Sequence, residues 1–437
     1  MSDLLSIGAS GVRAYNSALS AVGNNVSNAD TPGYTRRTVS LAENTSGGAS
    51  QFSGVDTASV GRAWDDYQAQ AARTAAGDAG QTDATSTWLT NAETALNDTA
   101  NGVGQSATSL FTAGDALAGD PSSTANRQGF LAALDQTASA FNSTAASLAS
   151  VSSGIATSAQ TTAQTVNATL DQIDKVNTAL KTTTAGSSQA ADLMDQRDRL
   201  LDTLSSNVGI SVSLDNNGAA TVSLTSSGLQ MTGNPGARLT VASGTNGTLA
   251  VQAISGGKTQ PVGTAGGSLG GLVESASTVA DRRTALDKMA SDFSSAINAW
   301  QAQGQTSSGA AGAALLSGTT AATISITTSD TTAIAAATSS ASNGNLLTLS
   351  TLRGSTGLEQ TWSNMVTDQG QMTAAAKSAD TAATSIASST MDARNTTSGV
   401  DLNTEAAEMI RYQQAYNAAA KIIQTSKDTM QSILDLF

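Results

Sequence analysis

Both ends of this chain carry apolar residues at intervals of seven, a spacing that makes physical sense on helices laid against other helices. Near the N-terminus Leu5, Val12, Leu19 and Val26 form one row, Gly8, Tyr15 and Val22 interleave as a second, and Ala9, Ala14, Ala18 and Ala21 keep the surface thin. At the other end Leu402, Met409, Tyr416, Ile423, Met430 and Phe437 stand seven apart, Tyr412, Ala419 and Ile433 fill the complementary positions, and Glu405 and Ser426 interrupt them. The two ends are therefore expected to pair as a coiled coil. Such a pair buries one stripe per helix and leaves the other faces wet, so an isolated two-helix stalk is marginal. The ends become worth ordering when neighbouring copies cover those faces, which predicts a polymer whose ends fold as subunits meet.

Between the ends the pattern changes twice. Residues 36–62 are rich in Gly, Ser and Thr and read as extended. From 63 to 204 the chain is mostly helical, with Val166, Leu170, Ile173 and Leu180 as one stripe and Leu193, Leu200, Leu204 and Val208 as another. Asp120-Pro121 followed by two serines reads as a helix start with Pro in the first turn. Residues 209–255 switch to period two: Ile210, Val212 and Leu214 alternate with serines, and Ala220, Val222 and Leu224 resume after "DNNG", a hairpin signal. "RLTV" and "LAVQAI" form a second candidate pair. Helix returns at 272–303 on the row Val279, Leu286, Phe293 and Trp300, with Met289 on the other seam. The pieces "TISITT" and "LLTLS" look strand-like before the last helical stretch. Asn403 or Thr404 is placed to cap the final helix. The expected architecture is mainly α with inserted β (α+β). A terminal coiled-coil part (1–35 and 398–437) and a helical-bundle body (36–204 and 268–397) enclose a small antiparallel β outer domain (205–267).

Composition removes several kinds of chemistry. The 437 residues include neither Cys nor His, so disulfides, thiolate or imidazole metal sites and a Ser-His-Asp triad are all excluded. With 21 basic against 34 acidic residues, net −13, the chain is not built to wrap a nucleic-acid backbone. No run of 18 apolar residues spans a membrane, and "MSDLLSIGAS" has no basic region or long apolar core of a cleaved signal peptide. These facts describe a cytoplasmic protein unless export uses an unprocessed N-terminal address. The carboxylate pairs Asp65-Asp66, Asp195 with Asp198, and Glu405 with Glu408 are read as solvated helix faces. "DNNG" is read as a turn rather than a calcium loop, and "GGSLGG" as a helix start rather than a phosphate loop. No catalytic, cofactor or metal site is expected, and the chain is not expected to be an enzyme.

The stretch "NNVSNADTPGYTRR", residues 24–37, ends the first helix. Asn24 and Asn25 lie on its last turn, where their amides can bond across to a neighbouring helix and fix register. Asn28 is read as the terminator, because Asn accepts a left-handed conformation. Pro32-Gly33 suits a type II turn ahead of Tyr34.

"ALSAVGNNVSNADTPGYTRR" resembles the N-terminal signature of rod, hook and hook-associated proteins of the bacterial flagellum, and "SGVDLNTEAAEMIRYQQAYNAAAKIIQTSKDTMQSILDL" resembles their C-terminal signature. Within that group "IRYQQAYNAAAKII" is most similar to the hook-associated protein 1 (FlgK) family. The internal stretches "GDPSSTANRQ", "DLMDQRDRLLDTLSSNVGISVSL" and "GGSLGGLVESASTVADRRTALDKMASDFSSAINAW" support it. The likeness covers both ends and about half of the middle.

The resemblance implies a structural part of the flagellum at the hook–filament junction. Subunits would polymerise helically with their terminal helices innermost and inserted domains outward. It implies hook protein as the proximal neighbour and the third hook-associated protein as the distal one. It also implies a chaperone for the C-terminal heptads before export, type III export without a cleaved signal peptide, and an extracellular location. The rivals are another axial protein, hook or flagellin-like, and a glycan binder or enzyme carried on the β insert. Asp215 is the one carboxylate between 205 and 267, which gives an enzyme little to work with. "DQRDRLLDTLSSNVG" counts against hook and flagellin.

Overall fold

A computed structural model of the chain describes residues 2–43, 54–98, 101–233, 236–354 and 356–435. The first helix, α1 (Ser2–Ser27), runs antiparallel to the last, α8 (Leu402–Leu434): Gly11 lies against Ala419, and Asn25 meets Glu405. The strands β1 (Arg37–Glu43) and β2 (Val55–Arg62) follow α1 as an antiparallel pair, with an irregularity between Ser40 and Leu41. This hairpin leans on α1, where the amide of Val55 donates to Ser10 Oγ at 3.1 Å.

The body is built on α2 (Asp66–Ala95), α3 (Val103–Gly119), α4 (Thr124–Thr182), α5 (Ser188–Asn207), α6 (Gly267–Gln303) and α7 (Leu358–Ser398). Helix α4 has 59 residues, a length of about 88 Å at 1.5 Å per residue, and it threads two apolar cores. Its first half joins α3, the end of α6 and the start of α7 around Phe130, Leu134, Phe141, Phe293, Trp300 and Trp362. Its second half joins α5, the start of α6 and the β strands around Ile155, Leu170, Ile173, Leu201, Val222 and Val279. The rows read from the sequence on α4 and α6 are buried throughout: Val166, Leu170, Ile173 and Leu180 on one, Val279, Leu286, Phe293 and Trp300 on the other.

The period-two stretch forms β3 (Ile210–Leu214) paired with β4 (Ala220–Leu224), and β5 (Arg238–Ser243) paired with β6 (Leu249–Ser255). A further strand, β7 (Lys258–Pro261), extends the second sheet. In the "DNNG" turn Asp215 Oδ1 accepts from the amides of Asn217 and Ala219 at 2.9 and 2.8 Å, and Gly218 takes φ +82°.

Helix asparagines hold these strands by imitating a peptide group, bonding both the N–H and the C=O of one residue. Asn177 does so to Ala220 (2.7 and 2.8 Å), Asn167 to Leu239 (2.8 and 2.9 Å) and Asn298 to Leu316 (3.0 and 2.9 Å).

Four local expectations need correction. Pro121 precedes α4, which starts at Thr124 with Ser123 accepting from the amide of Asn126. "LLTLS" lies in a 3₁₀ helix, Leu346–Arg353, its Leu346 and Leu349 buried three apart as that geometry places them. "TISITT" supplies just two strand residues, β9 (Ser325–Ile326), paired with β8 (Leu316–Ser317). The cap of α8 is Asp401, whose carboxylate accepts from the amide of Asn403 at 2.9 Å, rather than Asn403 or Thr404.

Candidate assembly interface

The α1–α8 contact is made by small residues. Gly8, Gly11, Ala14, Ala18, Ala21, Val22 and Asn25 are buried on α1, facing Glu405, Ala419 and Ser426 on α8. A Cβ on Gly8 would sit 2.7 Å from Ile423 Cγ1 and 3.2 Å from the Ala419 carbonyl, and one on Gly11 3.1 Å from Ala419 Cβ. Backbones approach this closely only where side chains are nearly absent.

The predicted row Leu5, Val12, Leu19 and Val26 is therefore not the intramolecular seam. Leu5 and Val26 are exposed, and Val12, Tyr15 and Leu19 are half-buried. On α8 the seam register is the one read from the sequence, but its most buried members are the interruptions Glu405 and Ser426 together with Ala419. Met409, Tyr412, Tyr416 and Ile423 are half-buried, and Leu402 is exposed. Met430, Ile433 and Leu434 lie beyond the described start of α1 and are exposed, Leu434 by 63%. Phe437 lies outside the described residues.

The root of this pair is polar. Asn25, 1% exposed, donates to the Arg37 carbonyl at 2.9 Å and to Glu405 Oε2 at 3.0 Å, and it accepts from the Arg37 amide and the Tyr34 hydroxyl, both at 2.8 Å. Tyr34 reaches it through the expected turn: Gly33 has φ +73°, and the Tyr34 amide donates to the Thr31 carbonyl at 3.1 Å, as type II geometry requires. Burial pushes the Tyr34 hydroxyl up to about 12, against the pull of the Arg37 guanidinium. Asn28 ends α1 differently from expectation. Among the described residues Asn246 is the non-glycine with positive φ; Asn28 instead donates its amide to the Asn24 carbonyl at 2.9 Å. Asn24, Pro32 and Gly33 are exposed.

Beside this root runs a staggered ladder of ions. Helix α5 carries Asp192, Asp195, Asp198 and Asp202 on one face, three or four residues apart. Arg37 bridges Asp192 and Asp195 (2.7 Å each), Arg62 bridges Asp195 and Asp198 (2.8 and 2.5 Å), and Arg73 bridges Asp198 and Asp202 (3.0 Å each). Arg197 joins Asp198 at 2.8 Å, and Arg394 from α7 joins Asp202 at 2.8 Å. Burial alone would raise the Asp198 pKa, but Arg197, Arg62 and Arg73 outweigh it and hold the carboxyl below the usual range. Arg37 also lies over the Tyr34 ring at 5.0 Å and Arg62 over Trp64 at 4.6 Å.

This overturns the reading of Asp195 with Asp198, and of Glu405, as members of solvated faces: all three are buried. The signal was present in "DLMDQRDRLLD", whose acids recur at helical spacing, but of the arginines that answer them Arg197 alone lies within the stretch, and Arg37, Arg62, Arg73 and Arg394 lie far away in the chain. The ladder binds the hairpin, α2, α5 and α7 into one joint under the terminal helices, and the Arg36 amide adds a bond to the Ser398 carbonyl at the end of α7. Among the described residues no cluster of three or more acidic side chains is placed to hold a metal ion, and no helix is long and apolar enough to cross a membrane.

Paired chain ends on a helical body with a mid-chain β insertion place the molecule beside the axial proteins of the flagellum. Residues 5–35 match the family model "Flagella basal body rod protein", and residues 394–436 match "Flagellar basal body rod FlgEFG protein C-terminal". Residues 89–316, more than half of the chain, match "Flagellar hook-associated protein FlgK helical domain", and the chain belongs to that family. A Bacillus subtilis protein named flagellar hook-associated protein 1 is 28% identical across 97% of this chain and 96% of its own length. The Salmonella typhimurium protein of the same name is 27% identical across 71% of this chain and 58% of its own length. The structure of the flagellar hook junction protein FlgK from Burkholderia pseudomallei superposes with a TM-score of 0.51 at 21% identity, over 56% of this chain and 46% of that one, a likeness of fold.

Proposed function

We propose that this chain is a structural subunit of the hook–filament junction of a bacterial flagellum, joining hook to filament by helical polymerisation and acting on no substrate. The observation that carries the reading is the pairing of the two chain ends through small residues, with larger apolar side chains left outward. Leu5, Leu402, Ile410, Ile422, Met430 and Ile433 remain exposed on α1 and α8. A row of this kind calls for cover from another copy. The names of the relatives point to the same place in the flagellum.

On this reading residues 1–35 and 398–437 form the axial part, with 36–204 and 268–397 as the body and 205–267 as the outer domain. The assembly interface comprises Leu5, Val12, Tyr15, Leu19, Val22, Asn24, Asn25, Val26, Asn28, Pro32, Gly33 and Tyr34 with Leu402, Met409, Tyr412, Tyr416, Ile423, Met430, Ile433 and Phe437. Asn25 and Val22 act from within by shaping the pair. Hook protein is the neighbour on one side and the third hook-associated protein on the other. A chaperone covers α8 before export of the chain without a cleaved signal peptide. A strain lacking the chain is expected to make hooks, shed filament subunits into the medium and lose motility. A deletion strain that still swims, or that fails to make hooks, contradicts the proposal.

A further inference from the structure

A primary amide offers two donors and an oxygen with two lone pairs, and Asn25 uses all four. Its bonds to the Arg37 N–H and C=O repeat the clamp that Asn167, Asn177 and Asn298 place on strands elsewhere. To these it adds Glu405 at the start of α8 and the Tyr34 hydroxyl in the turn. One buried side chain thus touches the end of α1, the turn, the first strand and the last helix. Loss of the amide orphans a carboxylate, a phenol and two strand backbone groups together, and unsatisfied buried groups are costly. Toward the tips α1 and α8 touch through Gly8, Gly11, Ala14 and Ala18, which bury little apolar area, and α1 is tied to the hairpin by the Ser10–Val55 bond, so the polar bonding that joins both terminal helices to the body at once is concentrated at the root.

We propose that Asn25 is a latch that fastens the roots of both terminal helices to the body as one unit, so that order in the two ends grows outward from this residue. The shape of the site demands an amide. Aspartate has no donors and would set its charge against Glu405, and alanine leaves every partner empty. The latch stands independently of what the tips bind: it concerns residues near Asn25 and Glu405 in a single copy, whereas polymerisation concerns the outward rows.

Peptide-resolved hydrogen exchange on the full chain, at a concentration where it is monomeric, tests this. In the unmodified chain protection is expected to fall in step from root to tip along both helices. In Asn25→Ala, amides of 19–27 and of 402–412 are expected to exchange faster by about tenfold or more, both together, with α4 and α6 unchanged. Asn25→Asp is expected to do the same, and adding Glu405→Gln to it to restore part of the slow exchange on both helices, because the new amide donates to the new carboxylate while the Arg37 carbonyl stays without its donor. A merely space-filling role would not show that rescue. Overturning results are a change confined to one helix, no change, a double variant as fast as Asn25→Asp, unprotected roots in the unmodified chain, or loss of α4 and α6 protection with the root.

Discussion

Gly8 on α1 and Ile423 on α8 are so close that a Cβ on the glycine would lie 2.7 Å from Ile423 Cγ1. The approach of the two chain ends is set by the absence of a side chain.

Replacing that glycine is the sharpest test of the seam. Gly8→Val is expected to force the helices apart and cost about 1–3 kcal/mol at the tip of the pair. Gly23 has nothing within 4 Å of its Cβ position, so Gly23→Ala should stabilise α1 by about 0.5–1 kcal/mol through helix propensity. Thermal melting of assembled polymer carrying Gly8→Val, and of monomer carrying Gly23→Ala, checks both signs.

The ion ladder should respond according to burial. Asp198→Asn leaves Arg62, Arg73 and Arg197 with too little negative charge in a buried site and is expected to cost about 3–5 kcal/mol. Asp192, whose side chain is 71% exposed, should lose less than about 1 kcal/mol as Asn. Urea denaturation distinguishes the two.

Acid should reach the same joint. The Asp198 carboxyl is held below its ordinary value, so its contribution is present above the unfolded pKa of about 3.9 and is lost as pH falls through the lower folded value. Stability measured against pH should drop steeply at the acid end for the unmodified chain and less steeply for Asp198→Asn.

Alkali acts on the root. The Tyr34 hydroxyl is raised to about 12, so the stability it lends is complete below about 10 and fades as pH rises through the folded value. A late step in the tyrosinate absorbance near that pH is expected, absent from Tyr34→Phe.

Much of this architecture was open to a reader of the sequence. Period seven announced the terminal and body helices, and period two with "DNNG" announced the first hairpin. Pro32-Gly33 specified its turn. Of the two rows legible on α1, Gly8 and Val22 of the second lie in the seam with Tyr15 half-buried, whereas Leu5, Val12, Leu19 and Val26 lie outside it, because a close helix contact selects Gly and Ala over larger side chains. Asp195, Asp198 and Glu405 passed as surface acids because their partners Arg37, Arg62, Arg73 and Asn25 lie more than a hundred residues away. A carboxylate shows its charge in the sequence and its neighbours only in the fold.

On the proposed reading the outward rows of α1 and α8 gain their order from neighbouring copies. Hydrogen exchange of residues 4–18 and 413–434, compared between dilute monomer and assembled polymer, tests it most directly. Rapid exchange in the monomer and slow exchange in the polymer is the expected result. Slow, cooperative exchange of both tips in demonstrably monomeric protein would contradict it.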